Sequence, residues 1–374
     1  MGKYYKYKNL EENRFQEFDK SDILSGPLHI AIDITNKCNA KCLHCFNRSG
    51  NGLLRNEISD REMLEIFKEI AVIKPFSTCF CGGEPMMKYD LVLRATEVLK
   101  NGGVPNIAMV TNGWFLTKDR VISLRNAGLT HIQLSLDGKD AKTHERMRGI
   151  NGIYEKVLDA LNFIDDAGIS SAVAFSPTQF NIKQFPEVVE LLQKFENLRE
   201  IKVQPLMPLG KAVEGKSELF ASEEEYRELV AYIERFNAKR DYNNKFRIDW
   251  SDPLDHLRRF TTLNFKNNIF SEIKSDGNLT ASAYIPVTVG NLKRHSLKDY
   301  WKAGLGKVWD IPVIRELAEF VVCIEDMKYD LQELPKIFYE DNIEIDFANY
   351  AQTECQFRYC GTAIPFLTVR STAR

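Results

Sequence analysis

The chain has 374 residues, 44% of them hydrophobic and 27% charged, with a formal net charge of −2. That length suits one large domain plus a smaller one, and the composition is ordinary for a globular protein. Near-neutrality excludes the electrostatic footprint of a nucleic-acid or anionic-membrane binder, and no apolar run is long enough for a membrane span.

In chain order, a segment over 1–27 opens with MGKYYKYKNLEENRF and lacks the apolar core of a signal peptide. Lys6 stands where a myristoylation signal needs a small hydroxyl. The expected location is therefore the cytoplasm, where the eight cysteines point to metal ligands or buried thiols rather than disulfides. Strand-like runs then recur at 28–35, 76–80, 106–112, 131–137, 170–176 and 200–207. Amphipathic helical patterns lie between them, about thirty residues per unit, the size of a βα repeat. Two helices carry capping boxes, Ser59 with Glu62 and Ser222 with Glu225. Six βα units predict a parallel sheet, open or curled into a partial barrel, with its chemistry at the C-terminal ends of the strands. After about residue 245 the rhythm changes. FSEIKSDGNLTASAY reads as a hairpin turning at Asp276-Gly277, and the tail is read as a smaller appended α+β domain over 245–374.

Just past the first strand, TNKCNAKCLHCFNRSG sets Cys38, Cys42 and Cys45 in C-x3-C-x2-C spacing. A disulfide suits neither an odd set nor the compartment. A structural zinc site wants four ligands, and His44, the one further candidate, sits inside the same short loop. A redox C-x-x-C pair leaves Cys38 unexplained. An iron–sulfur cube fits best, because a short loop can wrap three of its corners and leave the fourth iron open.

This spacing resembles the signature of radical S-adenosylmethionine (SAM) enzymes, with His44 in the place of the residue before the last cysteine. FCGGEPMM (80–87), TNGWFL (111–116), SLDGKDAKTHERMRG (135–149) and VQPLMPLGKA (203–212) resemble that family's strand-end segments in order and spacing. The similarity runs over about 28–301 and extends to the branch that carries a SPASM or twitch extension. It implies a partial (β/α)6 TIM-like barrel over 28–244, with a smaller, degenerate SPASM/twitch-like α+β domain over 245–374. It also implies one [4Fe–4S] cluster on Cys38, Cys42 and Cys45 that binds and reductively cleaves S-adenosylmethionine, fed by a one-electron donor such as flavodoxin or ferredoxin. The substrate implied is a ribosomally made precursor peptide. The alternative is a small molecule such as a sugar, nucleoside or cofactor precursor, and a non-catalytic iron–sulfur binder comes last.

The cofactor pocket implied comprises His44, Gly82, Gly83, Glu84, Pro85, Asn112, Ser135, Arg148 and Gln204. The two glycines let backbone approach a ligand, unless they only form a tight turn. Glu84 is suited to a ligand ammonium and Arg148 to a carboxylate. Asn112 and Ser135 suit ribose hydroxyls, or else turns and caps. Cys79 and Cys81 share one strand face and are expected to be buried thiols.

The extension's usual ligands are absent: Ser282 stands five residues after Gly277, where the family places a cysteine, and no cysteine occurs between Cys81 and Cys323. With that pair missing a second cluster is not expected; Cys323, Cys355 and Cys360 remain and read as plain thiols, the alternative being one cluster with a non-cysteine fourth ligand. Tyr284, Ile285, Trp301 and Trp309 are then expected to form a hydrophobic lid over the barrel.

Overall fold

The structure, a computed structural model, describes residues 24, 26–50, 56–214, 219–239, 246–261, 268–328, 343, 344, 346 and 348. Cys355 and Cys360 lie outside the described residues, as does most of the segment over 1–27.

The six βα repeats are present. β1 (His29–Asp33) leads to α1 (Asp60–Ile73), β2 (Ser77–Cys81) to α2 (Tyr89–Asn101), and β3 (Asn106–Thr111) to α3 (Lys118–Ala127). β4 (His131–Ser135) leads to α4 (Ala141–Arg148) and α5 (Ile153–Asp166), β5 (Ser170–Phe175) to α6 (Phe185–Leu192), and β6 (Leu198–Val203) to α7 (Glu223–Ala238). Then follow β7 (Arg247–Trp250), α8 (Pro253–Phe260), β8 (Phe270–Ile273), β9 (Asn278–Thr280), β10 (Val287–Asn291), α9 (Leu297–Lys302), α10 (Pro312–Phe320) and β11 (Ile343–Glu344). Both capping boxes form. Each serine oxygen accepts from the N3 backbone, and each N3 glutamate accepts from the cap residue's N–H, so two orphan donors per helix are satisfied.

The described strands make one eleven-stranded sheet, in the order β11-β10-β9-β8-β1-β2-β3-β4-β5-β6-β7. From β8 through β7 every neighbouring pair is parallel, while β9 runs antiparallel to β8 and β10. The sheet does not close on itself, so the architecture is an open barrel. The hairpin about Asp276-Gly277 is present, with Gly277 at φ +88° in its turn. Its first strand is not set apart from the barrel, because β8 pairs with β1 and Ala31 lies beside Glu272. β7 and β8 thus add two parallel strands to the six read from the sequence. Each spans only 4 residues, too few for a period-two pattern to stand out.

Strand alternation divides the sheet's faces. Ile30, Ile32 and Phe80 are buried under the helices, with Phe80 edge-on to Phe67 of α1 at 5.4 Å. Ala31, Asp33, Cys79 and Cys81 take the opposite, barrel-facing side.

The four side chains expected to form a lid separate. Trp309 lies flat on Phe260 with centroids 4.1 Å apart, Ile285 is buried, and the Trp301 indole donates to the Leu24 carbonyl. Trp309 and Ile285 are buried by apolar packing and Trp301 is anchored through its indole N–H, so these three do not form a lid. Tyr284 instead reaches the cysteine loop, edge-on to Phe46 at 6.3 Å.

Candidate active site

Beyond Asp33 the loop over 34–50 carries the three cysteines past the C-terminal edge of the sheet. Backbone bonds tie it to three neighbouring strand ends. Gly83 and Glu84 donate from their backbones to the Thr35 and Lys37 carbonyls at 2.7 and 2.9 Å. Lys41 and Leu43 donate to Arg148 and Met147 carbonyls, both at 3.0 Å, which also satisfies the last carbonyls of α4. Lys211 donates from its backbone to the Cys45 carbonyl at 3.0 Å and from its ammonium to the Ser49 carbonyl at 2.8 Å. The glycines expected to approach a ligand approach this loop instead. A Cβ on Gly83 would stand 2.0 Å from the Lys37 oxygen. Gly82, at φ +118°, would put one 2.4 Å from the Thr35 oxygen. The pair of glycines is therefore needed to seat the cysteine loop, and Pro85 then opens a helical turn over Pro85–Lys88.

N–H donors point at all three sulfurs. Cys38 Sγ accepts from Ala40 N at 3.4 Å and faces Asn112 Nδ2 at 3.8 Å. Cys42 Sγ faces Arg148 Nη1 at 3.8 Å, and Cys45 Sγ accepts from Ser49 N at 3.3 Å. Donors converging on sulfur suit thiolates held by a metal centre and oriented by an outer shell. As free thiols two of them are held protonated: burial pushes Cys38 up to about 12 and likewise raises Cys45. A cationic centre would reverse that balance. Among the described residues no three His, Cys, Asp or Glu side chains gather as a single metal ion requires. A cube spaces its thiolates more widely, one per iron, so this donor set fits a cluster better than a lone ion.

The remaining candidates surround this loop. Glu84 is fully buried; Oε1 accepts from Met86 N at 3.0 Å and Thr111 Oγ1 at 2.6 Å, and Oε2 from Asn112 N at 2.8 Å. Burial raises its pKa against the pull of these three bonds. The carboxylate suited to a ligand ammonium is thus already ringed by protein donors and clamps the end of β2 to that of β3. Asn112 also donates to Asn39 Oδ1 at 2.9 Å and accepts from Trp114 N. Ser135 ends β4 on the face shared with His131 and Gln133. Gln204 donates to Tyr284 Oη at 3.2 Å, joining the end of the sixth strand to the hairpin region.

Arg148, its side chain largely but not fully buried, forms an ion pair with the fully buried Asp137, Nη2 to Oδ2 at 2.6 Å. Asp137 also accepts from Ser176 N at 2.9 Å and lies 3.8 Å from His44 Nε2. Burial works to raise its pKa, but the Arg148 charge, the neighbouring His44 and His144 and the Ser176 bond hold it below the usual value. Asp137 was missed by the sequence reading, although it lies in the same SLDG segment as Ser135; nothing in that segment distinguishes a buried partner from a turn residue. A second buried cluster was missed too. Lys274 Nζ lies 2.6 Å from Glu272 Oε1 and 3.3 Å from Asp33 Oδ2, which also accepts from Asn47 at 3.2 Å. It joins the hairpin to the cysteine loop. Ser282 is buried and accepts from Tyr284 N at 3.1 Å, in a local turn, and Cys323 is exposed.

His144 gives this site a pH dependence. Its Nδ1 accepts from Asp137 N at 2.9 Å, so the ring is neutral with the proton on Nε2. Burial, reinforced by Arg148, lowers its pKa from 6.5 to about 3. The unfolded chain therefore binds the extra proton between those values, and stability is full above pH 6.5 and lost as pH falls. We expect on the order of 1 kcal/mol less unfolding free energy per pH unit in that window from this residue. Urea unfolding at pH 6 and pH 5 measures it, and His144→Asn should lessen the slope. Equal slopes would show that His144 does not carry it.

An open parallel α/β barrel with three donor-ringed thiols at its first strand end defines a class: proteins that hold an iron–sulfur cluster at the mouth of the barrel. The comparisons name it. Residues 32–192 match the Radical SAM superfamily. It is 23% identical over 295 residues to an AdoMet-dependent heme synthase of Methanosarcina barkeri, spanning 74% of this chain and 83% of that one. It is 25% identical over 227 residues to a PqqA peptide cyclase of Rhodopseudomonas palustris, spanning 61% and 59%. In fold it is similar to Streptococcus suis SuiB bound to S-adenosylmethionine, with TM-score 0.62 at 20% identity over 84% of this chain and 73% of that one. Cys38, Cys42 and Cys45 would hold an iron–sulfur cluster here, which would supply one-electron reduction to a bound co-substrate.

Proposed function

We propose that this radical SAM enzyme abstracts a hydrogen atom from a ribosomally made precursor peptide, with a single [4Fe–4S] cluster on Cys38, Cys42 and Cys45. The observation that carries the chemistry is the convergence of N–H donors on all three sulfurs. In this reading Asn112 and Arg148 hold the sulfurs in place, and His44, Ser135 and Gln204 border the S-adenosylmethionine pocket. Gly82, Gly83, Glu84 and Pro85 brace its floor. The electron comes from a flavodoxin- or ferredoxin-like donor. The peptide assignment is supported by the PqqA peptide cyclase relative. A second reading, a small cofactor-precursor substrate, is favoured by the heme synthase relative.

Deuterium transfer separates the two. A peptide labelled at its backbone or side-chain carbons should pass deuterium into 5′-deoxyadenosine. Transfer from a labelled tetrapyrrole or other small molecule, with none from peptide, would replace the first reading by the second. Anaerobic reconstitution tests the cluster number. We expect about four irons per chain; about eight would require a second centre.

A further inference from the structure

Two cations bear on the cysteine loop, and only one of them is paired. Arg148 faces Cys42 Sγ at 3.8 Å, but Asp137 at 2.6 Å balances its charge. Lys211 differs. It is only 7% exposed, and its ammonium donates to the Ser49 carbonyl at 2.8 Å. Among the described residues no Asp or Glu forms an ion pair with it. The other deeply buried lysine, Lys274, has both Glu272 and Asp33 within ion-pair distance. An ammonium carries three donors, and one neutral carbonyl answers one of them. A cation buried on those terms is costly, and an anion beside it offsets the cost.

The backbone fixes where this charge stands. The Ser49 carbonyl accepts from Lys211 Nζ, and the Ser49 N–H donates to Cys45 Sγ at 3.3 Å. Ammonium and thiol are thus bound to opposite ends of one residue. The Lys211 N–H donates to the Cys45 carbonyl at 3.0 Å. Gly210, at φ +57°, lies so close that a Cβ there would stand 2.2 Å from the Phe46 oxygen and 2.4 Å from the Cys45 oxygen. Seating the loop does not require a charge, because a neutral amide would donate to the Ser49 carbonyl as well.

We propose that Lys211 is the buried counter-charge of the cluster and raises its reduction potential. This rests on the reading of Cys38, Cys42 and Cys45 as cluster ligands. A cube on three thiolates is anionic and becomes more so on taking an electron, and its potential follows the charge around it. A fixed cation shielded from water favours the more negative state, because burial leaves the attraction weakly screened. The electron comes from the flavodoxin- or ferredoxin-like donor, which is oxidised by one electron as the cluster is reduced by one. Lys211 keeps its protons throughout, and no bond to it forms or breaks.

The test is a potentiometric titration of the full chain, reconstituted without oxygen, with the reduced cluster read by electron paramagnetic resonance. Lys211→Gln keeps an N–H donor and removes the charge. It should still bind about four irons. Its reduced form should be disfavoured on the order of tenfold, a fall of about 59 mV for one electron. Lys211→Arg should hold the wild-type potential. Equal potentials in wild type and Lys211→Gln, or an equal fall in Lys211→Arg, overturns the proposal. If Lys211→Gln does not hold iron, Lys211→Met is titrated in its place. Loading that fails in both neutral variants and survives in Lys211→Arg supports the counter-charge. Loading that fails in Lys211→Arg as well shows a seating role only and overturns it. A wild-type chain that takes up no cluster overturns the cysteine reading and this one together, whereas a loaded cluster with an unmoved potential overturns this one alone.

Discussion

Replacing Cys38, Cys42 and Cys45 together with alanine is expected to abolish 5′-deoxyadenosine formation under dithionite, a loss on the order of 10³-fold or more. The three sulfurs act as one unit, because a cube missing a corner ligand is not held in place to take S-adenosylmethionine. Each single alanine variant should therefore fall almost as far as the triple, a non-additivity that separate contributions would not produce. The fold should survive. The buried cluster of apolar side chains between sheet and helices contains none of the three, and the loop is held largely by backbone bonds to Gly83, Glu84, Met147 and Arg148. Unchanged far-ultraviolet circular dichroism, with loss of cluster absorbance and of 5′-deoxyadenosine, is the expected combination. Continued 5′-deoxyadenosine production by the triple variant would falsify the site.

Asp137→Ala is expected to be the most damaging single change at a position that touches no sulfur. It leaves the Arg148 guanidinium buried without its carboxylate, and removing one member of a buried pair costs about 3–5 kcal/mol. Ser176 N also loses the oxygen it donates to, on the order of 1–3 kcal/mol more if nothing replaces it. The effect should reach the site, because Arg148 faces Cys42 Sγ and its carbonyl holds Lys41 of the cysteine loop. Urea unfolding of the full chain would read the stability loss, and S-adenosylmethionine binding after reconstitution would read the site. Asp137→Ala combined with Arg148→Met should recover part of the stability, since no uncompensated charge remains, but not the binding. A single variant within about 1 kcal/mol of wild type would remove this pair from the framework.

The motif thiols and the βα rhythm were readable because both are local. Capping boxes at Ser59 and Ser222, alternation along β1 to β6, and the spacing of Cys38, Cys42 and Cys45 each lie within one short stretch of chain. The Gly277 turn was readable for the same reason: Asp-Gly between two apolar runs specifies a hairpin through backbone conformation alone. Tertiary structure decided what depends on partners far apart in sequence. β8 joins β1 across more than two hundred residues, and no feature of FSEI announces it. The purpose of Gly82-Gly83 was hidden, because the atoms a Cβ would strike belong to Thr35 and Lys37. Glu84 looked free for a ligand until Thr111 and Asn112 were brought to it. Asp137 with Arg148, and Lys274 with Asp33, are buried ion pairs whose stability depends on how completely water is excluded. The sequence determined which residue types were available for the chemistry. Only the folded chain, by burying some charges and pairing others, decided which of them brace the cysteine loop and which face the barrel.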